Sequence, residues 1–212
     1  MGGFLIDKNL IIWDNVKMKL KFDYKEYKKY LCSIKQFIII SFTFFIFSII
    51  YGYFSAYNSP EEARNVLSEF EKVFATILES STFMQFIFIF LNNIFSLFLS
   101  LISGLLFGIA PFVFLFSNGM LLGVFAFLWQ QEFALSGFLM GILPHGIIEI
   151  PLLIVGAAIG LKIGKAVIDK FFKKKGEIKP VVMIGLDFFI KIMIPLALIA
   201  AAIEVYITPL FI

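Results

Sequence analysis

Charge is scarce in this sequence. Only 16% of its 212 residues are Asp, Glu, Lys or Arg, against about 25% in soluble domains. That scarcity excludes an ordinary water-soluble fold, because a domain of this size must cover a large exterior with polar groups. Cysteine is nearly absent too. Cys32 stands alone, so no intrachain disulfide and no thiolate metal cluster can form. His145 is the single histidine, which excludes a zinc protease of the HExxH kind, where two histidines share a helix face. There is no G-x-S-x-G elbow, no P-loop, no low-complexity linker and no convincing repeat. The N-terminus does not read as a cleaved signal peptide, since Asp7 and Lys8 interrupt its apolar start. Met1-Gly2 lacks the Ser or Thr that myristoylation wants, with Ile6 in its place. Metal sites, cofactors and nucleic-acid partners are not expected.

What is abundant is apolar side chain. Hydrophobic residues make up 60% of the chain, and Phe alone contributes 29. The solvent that suits such a chain is lipid, and the expected fold is all-α: a polytopic integral membrane protein in one domain. Five transmembrane helices are expected, at 34–57, 83–105, 111–129, 134–163 and 181–209. The first is free of charge between Lys35 and Tyr57 and ends in a belt of Tyr51, Tyr53 and Tyr57. The three middle spans divide a nearly uncharged stretch. Their breaks fall near Ser103 to Pro111 and at Trp129-Gln130-Gln131-Glu132. The fourth contains Pro144, Gly146 and Pro151 and reads as a broken or kinked helix. A basic loop is expected over 162–179.

Two segments are amphipathic. Residues 1–33 interleave Lys17, Lys19, Lys21, Lys25, Lys28 and Lys29 with Trp13, Tyr24, Tyr27 and Tyr30. This suits either a headgroup-level segment or a solvated basic tail. Residues 59–80 begin with Ser59-Pro60-Glu61-Glu62, a Ser N-cap with Pro at the first helical position and Glu placed for a capping box. Apolar residues then recur at helical spacing opposite Arg64, Glu69, Glu71, Lys72 and Glu79, which predicts a helix lying against the bundle. Lysines concentrate in 8–35 and 162–179, while 58–82 is acidic. The positive-inside rule therefore predicts a cytoplasmic N-terminus, an outer 59–80 helix and an outer C-terminus in the plasma membrane.

Ionisable groups inside a span cost several kcal/mol and normally face the protein interior or a cavity. Here they are His145, Glu149, Asp187, Lys191 and Glu204. Counting helix rise from the basic edge puts Glu149 at roughly 20 Å and Lys191 at roughly 18 Å. Matched depth and opposite charge predict a Glu149–Lys191 pair with His145 above it, with Asp187, four residues before Lys191 on the same helix face, as the lysine's alternative partner. Asn92, Asn93 and Asn118 fall in neighbouring spans, so a mid-membrane polar layer of these residues with His145, Glu149, Asp187 and Lys191 is expected. Such a layer either joins helices or forms a transport path. An intramembrane enzyme on His145 and Glu149 is the least favoured reading. Gly104/Gly108, Gly119/Gly123, Gly156/Gly160 and Gly160/Gly164 have GxxxG spacing, which serves close helix approach inside a protomer or across a dimer.

The segment Pro144-His145-Gly146-Ile147-Ile148-Glu149-Ile150-Pro151, with Asn92-Asn93 and Asn118-Gly119 through Gly123, resembles the stage II sporulation protein M family over about residues 30–210. The resemblance implies five spans and no catalytic residues. In spore-forming bacteria the family's namesake holds peptidoglycan-remodelling enzymes at the membrane during engulfment, as a scaffold. The expected function is thus a non-enzymatic membrane scaffold or assembly protein, with a small transporter or channel as the alternative. The expected partners are the lipid bilayer, a second copy of the chain, and proteins in the membrane or outside it.

Overall fold

A computed structural model describes residues 10–13, 16–19, 24–132 and 135–210. The side chains of 10–19, of 70, 71, 73, 74, 76 and 78, and of 132, 135–143 and 145 lie outside that description, so the expected headgroup role of Trp13 and Lys17 is outside it as well. A short antiparallel hairpin pairs β1 (Leu10–Trp13) with β2 (Val16–Lys19), Leu10 opposite Lys19. Everything else described is helix, turn or connection.

Helix α1 (Tyr24–Ser33) runs almost directly into α2 (Lys35–Asn58), whose interior carries no charge. The chain turns at Ser59, and Pro60 opens α3 (Pro60–Leu78) with Glu61 and Glu62 in the first turn. The Ser59 side chain makes no cap hydrogen bond, so the expected capping box is not formed. The fixed φ of Pro60 and the acidic first turn start the helix without it. Helix α4 (Thr82–Ile102) does have a side-chain cap, with Met84 N donating to Ser81 Oγ at 3.4 Å. A turn follows in which Phe107 and Gly108 take positive φ values of 56° and 76°, and α5 (Ile109–Glu132) returns.

Helix α6 (Leu135–Lys173) differs from expectation in two ways. It is continuous through both Pro144 and Pro151, and it runs ten residues past the expected end at 163. Lipid offers no water to compete for backbone groups, so a helix persists through proline where it would fray in a soluble protein. The expected basic loop shrinks to the residues around Lys174 and Gly176, both at positive φ. The last span is α7 (Ile178–Phe188), a π-helical stretch over Phe189–Met193, and α8 (Ile194–Tyr206). Pro195 explains the wide turn. Its ring would meet the carbonyl of Lys191 in a regular helix, and a π turn relieves that clash.

Five helical stretches are long and apolar enough to cross a membrane: Lys35–Asn58, Thr82–Leu105, Ile109–Gln131, Gly146–Lys173 and Ile178–Leu210. The fourth is 56% buried against 17% to 33% for the others, so α6 is the hub. Small residues let its neighbours close in. Gly104 lies against the backbone of Gly160, and Gly108 against that of Gly164, so that a Cβ on Gly104, Gly160 or Gly164 would strike the opposing main chain. The α2–α5 pair is just as tight, with Gly52 on Met120, Gly119 on Ser48 and Gly123 on Ile49. These GxxxG pairs are thus spent inside the protomer, where close approach gives the dispersion contact that holds helices together in lipid. Helix α3 lies across the same end of α2 and α5, with Ala63 and Leu67 on a cluster of Ala56, Val124, Phe127 and Leu128.

Candidate functional site: a carboxylate in a carboxamide cavity

Near the middle of α4, about 15 Å from either end of that helix, Asn93 is half-buried and Asn92 beside it is exposed. Asn118 sits comparably within α5, and Glu149 within α6. The structure brings these four side chains together around one partly open cavity of about 70 Å³, lined also by Leu97, Phe114, Leu152, Leu153 and Ala197. Ser96 also lines it. Sequence reasoning passed over Ser96, although its position four residues after Asn92 puts it on the same helix face. The Asn118 Nδ2 donates to the Phe114 carbonyl at 2.8 Å, which fixes that amide and leaves its Oδ1 for the cavity. Asn93 is directed at the Glu149 carboxylate. Its Nδ2 is nevertheless buried with no partner at ordinary hydrogen-bond geometry. Among the described residues no cationic side chain bridges Glu149. Glu204 on α8, another carboxylate, lies within electrostatic reach of Glu149.

The expected Glu149–Lys191 pair is not formed. Lys191 Nζ meets Asp187 Oδ1 at 2.5 Å, one turn away on the same helix. Tyr27 on α1 completes that group, its hydroxyl donating to Asp187 Oδ2 at 2.9 Å. A partner four residues away needs no extra ordering of the chain, whereas one on another helix must also face the right direction. Burial, and Asp187 beside it, push the Tyr27 phenol above its ordinary pKa, with Lys191 opposing. The hydroxyl therefore stays a donor at neutral pH. Beside this group Lys162 donates to Ser33 Oγ at 3.1 Å and lies 4.8 Å over the Tyr30 ring. Tyr30 and Ile34 join the main core cluster with Ile159, Ile163 and Phe188. Helix α1 is thus packed on the lysine-rich end of the bundle.

The polar layer therefore resolves into two sites. Asn92, Asn93, Asn118 and Glu149 share the cavity, and Asp187 and Lys191 belong to the α1 contact. Pro144, Gly146 and Pro151 lie within the unbroken α6, and the His145 side chain falls outside the described residues. No group of three or more His, Cys, Asp or Glu able to hold a metal occurs among the described residues.

Fold and site together define a polytopic helical membrane protein that keeps a carboxylate among carboxamides at mid-span. Comparison with known sequences names the family: residues 41–209 match stage II sporulation protein M, and the chain belongs to that family. A relative from the archaeon Methanocaldococcus jannaschii, named uncharacterized protein MJ0793, is 34% identical over 182 residues, covering 81% of this chain and 93% of the relative. No solved structure matches. The resemblance read from the Pro-His-Gly-x2-Glu segment and the paired asparagines is borne out.

Proposed function

We propose that the protein passes a proton or a small cation through the bundle by way of Glu149. The observation that supports this reading is the carboxylate at mid-span with carboxamides and a hydroxyl around it and no described basic partner. A carboxylate in hydrocarbon is neutralised by a proton or by a cation, and intramembrane acids of this kind mark ion and proton paths. In this reading the protein is not an enzyme. The lysine-rich end with α1 faces the cytoplasm, and α3 and the C-terminus face outward across the plasma membrane.

Reconstitution into vesicles tests it. Under an imposed membrane potential, vesicles with the protein should acidify or take up cation faster than empty ones, and Glu149→Gln should remove the difference. Identical traces from protein-containing and empty vesicles would sink the proposal. Family membership favours a second reading, a membrane scaffold that gathers partner proteins. That reading expects a stoichiometric protein partner on native-lipid purification, undisturbed by Glu149→Gln.

A further inference from the structure

The geometry points to a sodium-class monovalent cation bound by Glu149, Asn92, Asn93, Asn118 and Ser96 in the α4–α5–α6 cavity. The inference rests on the ion-path reading of that cavity and gives it a ligand.

Three observations carry it. The first is the donor set. The side chains lining the cavity with polar atoms offer a carboxylate, three carboxamides and a hydroxyl. These are hard oxygens, with no thiolate and no described imidazole, the set that suits an s-block ion and disfavours a transition metal. The second is charge. One lining residue is anionic, so a monovalent ion leaves the site neutral, whereas a divalent ion leaves a net charge in a low-dielectric surround. Glu204 faces Glu149 from α8 without lining the cavity. From α6, Lys162 and Lys165 are turned elsewhere, to Ser33 and to Asp169, and on the π stretch Lys191 is held by Asp187.

The third is the state of the amides. Asn118 is already oriented, with its nitrogen tied to Phe114 and its oxygen left as a ligand. Asn93 holds a buried Nδ2 without an ordinary partner. Half a turn of that amide exchanges nitrogen for oxygen and presents Oδ1 as the ligand in place of the unmatched donor. The cavity, about 70 Å³, admits one small ion with a few waters, each water needing roughly 10 to 15 Å³ by this measure. Bound ion and proton then compete for the Glu149 carboxylate.

The test uses the purified full chain in micelles at alkaline pH, with choline chloride holding ionic strength constant. Sodium chloride should raise the melting temperature saturably within about 100 mM, as a ligand that binds only the folded state must. Radioactive sodium should bind at one site per chain. Lowering the pH should weaken the apparent affinity. Glu149→Gln, isosteric and uncharged, should weaken binding about thirtyfold or more, and Asn118→Ala and Asn92→Ala should weaken it less. Scintillation proximity binding reads the ion directly, so a variant of altered stability still reports. Absence of saturable sodium binding in both assays overturns the site, as does an equal response to choline or undiminished binding in Glu149→Gln. The two proposals fail separately: sodium binding without vesicle flux refutes the ion path alone, and proton flux without sodium binding refutes the sodium site alone.

Discussion

Lys191 offers the sharpest test of how this bundle stores its charges. Its side chain is 18% exposed and that of Asp187 is 21% exposed, so the pair is largely withdrawn from solvent. Breaking a fully buried pair from one side costs about 3 to 5 kcal/mol. Here the residual exposure and the surviving Tyr27 hydrogen bond to Asp187 should reduce the loss for Lys191→Met to about 2 to 3 kcal/mol. Asp187→Asn should cost about 1 to 2 kcal/mol, because a lysine stem is long enough to carry its head toward the headgroups. The double variant should lose at least about 1 kcal/mol less than the sum of the singles, the signature of direct coupling. Lys191→Met and Glu149→Gln should instead be additive within about 0.5 kcal/mol. Reversible unfolding in mixed micelles, followed by titration with a denaturing detergent, reads all four corners of each cycle. Strong coupling of position 191 to 149, or none to 187, would refute the placement of Lys191 in the α1 contact.

Other substitutions follow from the same contacts. Tyr27→Phe should cost about 1.5 to 3 kcal/mol, the range for a hydrogen bond to a charged group, and loosen α1 as read by protease nicking at its lysines. Gly160→Val should destabilise by about 3 kcal/mol in micelle melts, because its Cβ would meet the Ser100 carbonyl and the Pro111 ring; Gly176→Ala, with open space around it but φ at 76°, should cost only about 1 kcal/mol. Ser59→Ala should stay within about 0.5 kcal/mol and Ser81→Ala should lose about 0.5 to 1 kcal/mol, measured by thermal unfolding, since the second serine caps its helix and the first does not. In a Cys32→Ser background, a cysteine at position 64 should react with an impermeant reagent from outside the cell, and one at 165 only after permeabilisation.

The spans were legible because lipid imposes a simple rule on composition: runs free of charge and long enough to cross stand out. Helix α3 was legible from its alternation of faces. The cavity was partly legible, since mid-span Asn92, Asn93, Asn118 and Glu149 each signal a need for partners. Azimuth was not legible. Depth along a helix follows from counting, but the direction a side chain takes around it depends on packing, and this is why Lys191 was assigned to Glu149 although Asp187 lay one turn away. Pro144 and Pro151 misled for a different reason, because a proline's penalty depends on whether water can take the freed backbone groups. The β1–β2 hairpin was missed within a segment whose lysines and aromatics drew attention to the membrane surface.

Helix α6 has 39 residues, roughly 58 Å of rod in a hydrocarbon layer about 30 Å thick. Its portion past Lys162 carries Lys165, Lys170 and Lys173 and presents Phe171 and Phe172, both tilted against the Phe107 ring at centroid distances of 6.2 Å. Aromatic rings and lysines settle at the boundary between acyl chains and headgroups, so this collar sets the height at which the rod floats. Glu149 is built into the same rod, about 20 Å from Lys162 where the basic stretch begins. The carboxylate's distance from that leaflet is thus fixed by the collar, and a thinner bilayer must bring the opposite leaflet toward Glu149. Membrane thickness thereby becomes a physical input to the cavity, acting through the water and headgroups that reach it from the far side.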